Sequence, residues 1–425
     1  MKTAHSDMSL EANHMPDRPP AADLVIHGAS EVLTCAADAG PALHRIANGS
    51  VAIGDGRILA VGPREEVAAA VQLGSAEVVE AAGGVVAPGF IDAHTHLVFG
   101  GSRVQEYAAR LTQSREQVDA LGFPTGIMAT VEMTRSEDPD VLFASAAARL
   151  DEMLAHGTTT AESKSGYGLD LRSELELLRV NRRLNDSHAI DIVSTFMGAH
   201  DFPPGVSRAG YVDQVIDEMI PRVAHSRLAH FCDVFCDDGF YTVEQSRKIL
   251  VAGMEAGLAP KIHADQYADV GGADLAAELE VVSADHLNFT AAASLRSMAQ
   301  AGVVAVLMPL IDFAVRHPRP IQARDWVEAG LALALGTDLC PGGYSLSMPL
   351  AIQFACRWNG LSPEEALRAA TVGSARACGL EDRGAIVPGA VADLQVWDVP
   401  SLEDMVYRIG HNPVRTVIKN GKVVV

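Results

Sequence analysis

From about Gly89 to Leu380 the sequence alternates eight short apolar, β-branched runs with longer stretches rich in Ala, Leu, Glu and Arg. No other feature limits the fold as tightly, because this rhythm is the pattern of repeated β-α units around a parallel sheet. The runs lie at approximately Val85–Ala93, Thr158–Ser163, Ile190–Gly198, Phe231–Phe235, Pro260–Ala264, Val281–Asp285, Val303–Met308 and Leu331–Thr337. Eight parallel strands with intervening helices predict an α/β fold, a closed (β/α)8 TIM-like barrel whose chemistry gathers at the C-terminal strand ends.

The flanks read differently. Ala22 to Val86 consists of short β-type runs (DLVIHGA, GSVAIGDGRILAVG, AEVVEAAGGVVAPG) broken by glycines and by the turn-forming Asp55–Gly56 pair, an antiparallel opening. After Leu380 the text returns to β type, with a second turn at Asn420–Gly421. The expectation is one small, discontinuous β-sandwich built from residues 22–86 and 384–425, with the barrel of residues 87–383 inserted between them. Residues 1–21 mix charges, His and Pro without an apolar stretch, and are read as a mobile tail rather than a secretory signal.

Composition narrows the partners. The chain has 425 residues, 48% of them hydrophobic, and 33 basic against 54 acidic side chains, a net charge of −21. Such a surface repels phosphate backbones and anionic lipid, so neither nucleic acid nor a membrane is expected as a partner. Apolar stretches such as Gly302–Ile311 reach about half of the ~20 residues that a bilayer requires. The six cysteines contain no CxxC pair and fit buried thiols in a reducing cytoplasm. Cys232 and Cys236 sit on one strand, the wrong geometry for a zinc finger.

Chemistry enters with PGFIDAHTH, where His94 and His96 stand two apart at the end of the first barrel strand. Alternation along a strand points both imidazoles to one face with Cα atoms about 6.6 Å apart, a span one metal ion can bridge. Alone, an HxH pair is more often a structural or surface feature than a metal site. Other ligand types recur at later strand ends: His263 in KIHADQ, His286 in SADHL and Asp338 in LALALGTD. Core histidines bonded to carbonyls would explain any one of these positions, but not their joint placement at one rim. Imidazoles with a carboxylate suit Zn2+ or iron.

These residues resemble the amidohydrolase superfamily, and longer words narrow the likeness. PGFIDAHTHLVFGGSR, GTTTAESKSGYGLD, TFMGAH, KIHADQ, SADHL and GLSPEEALRAATVGSARACGLEDRGAIVPGAVADLQVWD occur in unbroken order and resemble the imidazolonepropionase family of histidine degradation. The resemblance implies one metal per subunit, zinc before iron, held by His94, His96, His263 and Asp338. It implies catalytic roles for Asp338, His286 and Gln266, substrate contacts from Arg103, Tyr167, His200, Gln266, Cys340, Gly342 and Gly343, and a homodimer acting on a small carboxylated heterocycle. The implied reaction opens the ring amide of 4-imidazolone-5-propanoate to give N-formimino-L-glutamate. Asp338 would then take the attacking water's proton and pass it to the departing nitrogen, and His286 would stabilise the oxyanion. Gln266, an amide, would orient the ring without acting as acid or base. Arg103 could grip the propionate with two parallel bonds, although read alone it is equally a surface arginine. Lys164 and Glu162 on the second strand raise the option of a carboxylated lysine bridging two metals, which one-metal relatives do not use.

Three stretches depart from the family. Asp338-Leu339-Cys340-Pro341-Gly342-Gly343 replaces D-x-N-P-G-T/S. Gly122-Phe123-Pro124-Thr125-Gly126 replaces a triple glycine. MPLIDFAVRHPRP replaces an apolar aromatic run after strand seven. They leave open a relative acting on another cyclic amide, a thio-imidazolone or a heteroaromatic amine, and more remotely a metal-free binding protein on the same frame.

Overall fold

A computed structural model describes residues 19–36, 43–122 and 125–425. Most of the tail and the Phe123–Pro124 departure lie outside these residues. Eight parallel strands, Phe90–Asp92, Thr158–Lys164, Asp191–Ala199, Phe231–Cys236, Ala259–Ala264, Ser283–His286, Val304–Leu307 and Ala332–Leu335, pair in sequence order. No helix among the described residues is long and apolar enough to cross a membrane.

Closure of the barrel is made at its C-terminal rim. Ala93 N–H donates to Leu335 O (3.2 Å), Asp338 N–H to His94 O (3.0 Å) and His96 N–H to Leu339 O (2.8 Å). Just below, Asp92 accepts from Thr337 N–H (3.0 Å) and Thr337 Oγ1 (2.6 Å). The bonds that join strand one to strand eight therefore also bring the HxH pair beside Asp338.

The predicted first strand proves to be two. Val85–Pro88 belongs to a terminal sheet, and only Phe90–Asp92 enters the barrel. The break falls at Gly89, where a Cβ would meet both Cγ2 and Oγ1 of Thr159 at 2.4 Å. Only a residue without a side chain lets the chain cross there from one sheet to the other.

The terminal residues form two sheets. One runs Arg57–Pro63, Gly49–Gly54, Leu24–His27, Glu77–Glu80; the other runs Lys422–Val423, Val414–Lys419, Leu394–Trp397, Val85–Pro88, Glu31–Leu33, Arg45–Ala47. Leu24, Ile26, Val51 and Ile53 of the first sheet share a core with Val32, Val86, Leu394, Val396 and Ile418 of the second. The antiparallel expectation holds only in part. Leu24–His27 runs parallel to Glu77–Glu80, and Glu31–Leu33 parallel to Val85–Pro88, because longer connections separate these partners. A helix at Leu402–Tyr407, not foreseen in the β-type C-terminal text, is capped by Ser401 and packs against Met348–Arg357, with Leu402, Met405 and Val406 buried in the barrel's core cluster.

Overpacking at the crossover sets a test. Gly89→Ala should cost about 1–3 kcal/mol in chemical denaturation, with much of the loss recovered by adding Thr159→Ala. Equal stability of Gly89→Ala and wild type would contradict the steric account.

Candidate active site and metal centre

The barrel interior below the rim is charged. Two residues per repeat along a strand places Glu162 and Lys164 on the same inward face, where Lys164 Nζ reaches Glu162 Oε1 (2.8 Å), Asp233 Oδ2 (2.7 Å) and Asp285 Oδ2 (3.2 Å), all fully buried. Lys261 Nζ lies 3.3 Å from the same Glu162 oxygen. Burial opposes ionisation of Asp233 and Asp285, yet Lys164 and the neighbouring imidazoles hold both below the usual carboxylate range. The same carboxylates hold the Lys164 amine well above its usual range against the effect of burial. Lys164 is thus an ammonium at the centre of a carboxylate cluster.

The aspartates of this cluster also orient the imidazoles, Asp233 through its second oxygen and Asp285 through the oxygen that Lys164 shares. His94 Nδ1 stands 2.7 Å from Asp285 Oδ2 and His263 Nδ1 3.1 Å from Asp233 Oδ1. A carboxylate accepts there, so each ring donates through Nδ1 and turns Nε2 upward as a lone pair. Neither Nε2 has a hydrogen-bond partner among the described residues, although both are buried. Ligand atoms of His94, His96 and His263 lie within 4.8 Å of one another, as do those of His94, His286 and Asp338. Asp338 Oδ1 is 3.5 Å from His94 Nε2 and 3.8 Å from His96 Nε2.

Burial keeps His94, His96 and His286 far below the ordinary imidazole range, hence neutral and able to ligate. Burial, together with nearby Asp285, Asp312 and Asp92, pushes Asp338 well above the carboxylate range. Two lysines face three carboxylates in the cluster beneath, leaving excess negative charge under a nest of partnerless lone pairs. That donor set fits a borderline cation.

Above it opens a cavity of about 870 Å³. His96, His263, His286, Asp338, Arg103, Tyr167, His200, Gln266, Cys340 and Gly342 all line it. His200 stacks on His96 (4.7 Å between ring centres) and meets Gly166 O through Nδ1 at 3.1 Å, and burial pushes its pKa down to about 3. The Tyr167 loop hangs on Glu174, whose buried carboxylate accepts from Gly166 N–H (3.0 Å), Gly168 N–H (2.7 Å) and Leu169 N–H (2.9 Å). His286, Leu287 and Asp338 adopt positive φ (74°, 60° and 48°), an arrangement that L residues rarely take and that here aims two site side chains.

Two expectations change. Gly343, expected among the substrate contacts, does not line the cavity, because Ile311 Cδ1 stands where its side chain would be. The departure at Gly343 and the departure in MPLIDFAVRHPRP are therefore one steric event. Arg103 does not present its two-bond face to the cavity. Nε and one terminal nitrogen are held by Glu106 at 2.6 and 2.8 Å, and Nη1 is left to face the Gly342 side. Lys164, whose bridging role one-metal relatives do not use, is tied to three carboxylates. Asp233, Asp285 and Glu174 were missed, although a charged residue inside an apolar strand (FCDVFC, SADH) signals an internal partner.

An amidohydrolase family model matches residues 112–425. Imidazolonepropionase from Geobacillus kaustophilus (strain HTA426) is 45% identical over 386 residues, covering 89% of this chain and 91% of its own length. That from Clostridium tetani (strain Massachusetts / E88) is 41% identical over 412 residues, covering 95% and 98%. The chain belongs to the imidazolonepropionase family. Imidazolonepropionases share their fold with other amidohydrolases: a zinc-bound adenosine deaminase from Xanthomonas campestris superposes with a TM-score of 0.73 at 21% identity, covering 95% of this chain and 93% of its own. A mutant of atrazine chlorohydrolase TrzN from Arthrobacter aurescens TC1, complexed with zinc and atraton, gives 0.74 at 16% identity, covering 95% of both chains. In this member of the imidazolonepropionase family the ligand-type residues and the buried lysine cluster form one continuous unit.

Removing the ammonium leaves buried carboxylates uncompensated. Lys164→Met should lower the stability of metal-free protein by about 3–5 kcal/mol in denaturant titration. No loss would show that the cluster is not held by charge.

Proposed function

We propose that the protein is a metal-dependent cyclic amidohydrolase that converts 4-imidazolone-5-propanoate to N-formimino-L-glutamate. The observation that carries this reading is the pair of buried, partnerless Nε2 atoms of His94 and His263 beside His96 and Asp338, in a chain of this family. His94, His96, His263 and Asp338 would hold one ion, with zinc favoured over iron by the imidazole-rich set. When bound, that ion supplies an activated water and polarises the ring carbonyl.

The chain's own groups do the rest. Asp338, beside the proposed ion and lining the cavity, would take a proton from water and release it to the ring nitrogen as the C–N bond breaks. His286, which lines the cavity, would stabilise the oxyanion as its charge develops. Gln266 hydrogen-bonds the ring, and Tyr167 and His200 close one wall against water. Arg103 offers Nη1 to the propionate, with Glu106 fixing its plane rather than neutralising the wall, because Arg110 shares that carboxylate (2.6 Å). We place the enzyme in the cytoplasm as a homodimer, with residues 22–86 and 384–425 as one β unit around the barrel. Cys340 and Ile311 at the tail end of the cavity favour, as a second reading, a related cyclic amide with a less polar tail.

Metal-loaded protein given 4-imidazolone-5-propanoate should form N-formimino-L-glutamate. Absence of that product at one ion per chain would contradict the substrate assignment and favour the second reading. Arg103→Ala should raise KM about tenfold or more with kcat little changed, since a charged hydrogen bond is worth roughly 1.5–3 kcal/mol. An unaltered KM would remove Arg103 as the anchor.

A further inference from the structure

The segment MPLIDFAVRHPRP brings a buried polar group to the back of the cavity wall. His317 Nε2 lies 2.8 Å from the backbone oxygen of Gln266. A carbonyl can only accept, so Nε2 carries the hydrogen in this contact, while Nδ1 stands between Arg319 O at 2.9 Å and Arg319 N at 3.2 Å. Asn288 fixes the far side: its Nδ2 donates to Asp312 Oδ2 (2.9 Å) and Arg319 O (3.1 Å). Asp312 O in turn accepts from His317 N–H (2.8 Å). The ring stacks on Tyr267 (5.9 Å between centres) and meets Phe289 edge-on (6.0 Å). His317, Asn288 and Asp312 are all buried.

The opposite face of the same loop is held by Asp237, which accepts from Tyr267 N–H (2.9 Å) and Ala268 N–H (3.2 Å). No hydrogen bond from the Gln266 side chain to another described residue is present, so its direction into the cavity is set by its backbone alone. Two clamps grip that backbone, one from the loop after strand four and one from the loop after strand seven. Asp265, just before Gln266, has φ 51°, so the clamped Gln266–Tyr267 peptide lies one residue past a left-handed turn of the chain.

We infer that His317 is a positioning residue that fixes the orientation of Gln266, and thereby the presentation of the substrate ring, through the Nε2–H bond to the Gln266 carbonyl. His317 touches no reacting atom. The inference rests on the proposed reaction for its kinetic consequence, but not for its structural one. Because a misplaced contact loses orientation rather than simple affinity, its removal falls on kcat.

The test is His317→Phe, which keeps the ring and its stacking and deletes the donor, compared with His317→Gln, which can still donate to the carbonyl. With 4-imidazolone-5-propanoate, His317→Phe should lower kcat about tenfold at unchanged metal content, and His317→Gln should retain most of it. In a Gln266→Ala background His317→Phe should cause no further loss, since the two changes act through one contact. An equal loss in both backgrounds, or none in either, would overturn the proposal. Hydrogen exchange supplies a readout independent of substrate: the Tyr267 and Ala268 amides should exchange at least tenfold faster in His317→Phe, and unchanged protection would overturn the proposal even if the wild type turned over nothing. If the Phe variant does not fold, His317→Met serves the same comparisons.

Discussion

The ion pairs of Lys164 with Asp233 and Asp285 set the geometry on which the rest of the site depends. A carboxylate buried in a barrel interior must be paired, and these two are paired below with one ammonium and above with the Nδ1 of His263 and His94. The pairing fixes tautomer and ring plane together, so that the lone pairs that would take a cation are aimed before any ion arrives. Replacing the cluster with apolar side chains would fill the barrel as well, but would leave the imidazoles free to turn.

Fold and site are joined a second time at the seam of the barrel. Strand one meets strand eight through backbone bonds of His94, His96 and Asp338, so closing the sheet and assembling the ligand set are a single act. The terminal sheets enter through the same strand. Gly89 hands the chain from the six-stranded sheet to the barrel three residues before Asp92, whose carboxylate ties the seam.

Much of this was legible in the sequence, and the limits have physical causes. The eight β-α units, the HxH pair and the histidines and aspartate at later strand ends could be read because period and strand position are local properties. The break at Gly89 was not, because it depends on Thr159, seventy residues away. Gly343 and Ile311 looked like separate departures; only in three dimensions does one fill the space of the other's side chain. Arg103 lines the cavity, but its commitment to Glu106, three residues on, depends on rotamers that spacing does not determine. Asp233 and Asp285 left a signal, a charge within an apolar strand, whose partner only the closed barrel reveals.

Metal-edge X-ray absorption on the loaded protein tests the central claim most directly. The account predicts one ion per chain with a first shell of nitrogen and oxygen at about 2.0–2.2 Å, imidazole scattering included and sulfur absent. A sulfur at about 2.3 Å, which would place Cys340 on the ion, or a second metal nearby, which would call Lys164 into bridging, would contradict it.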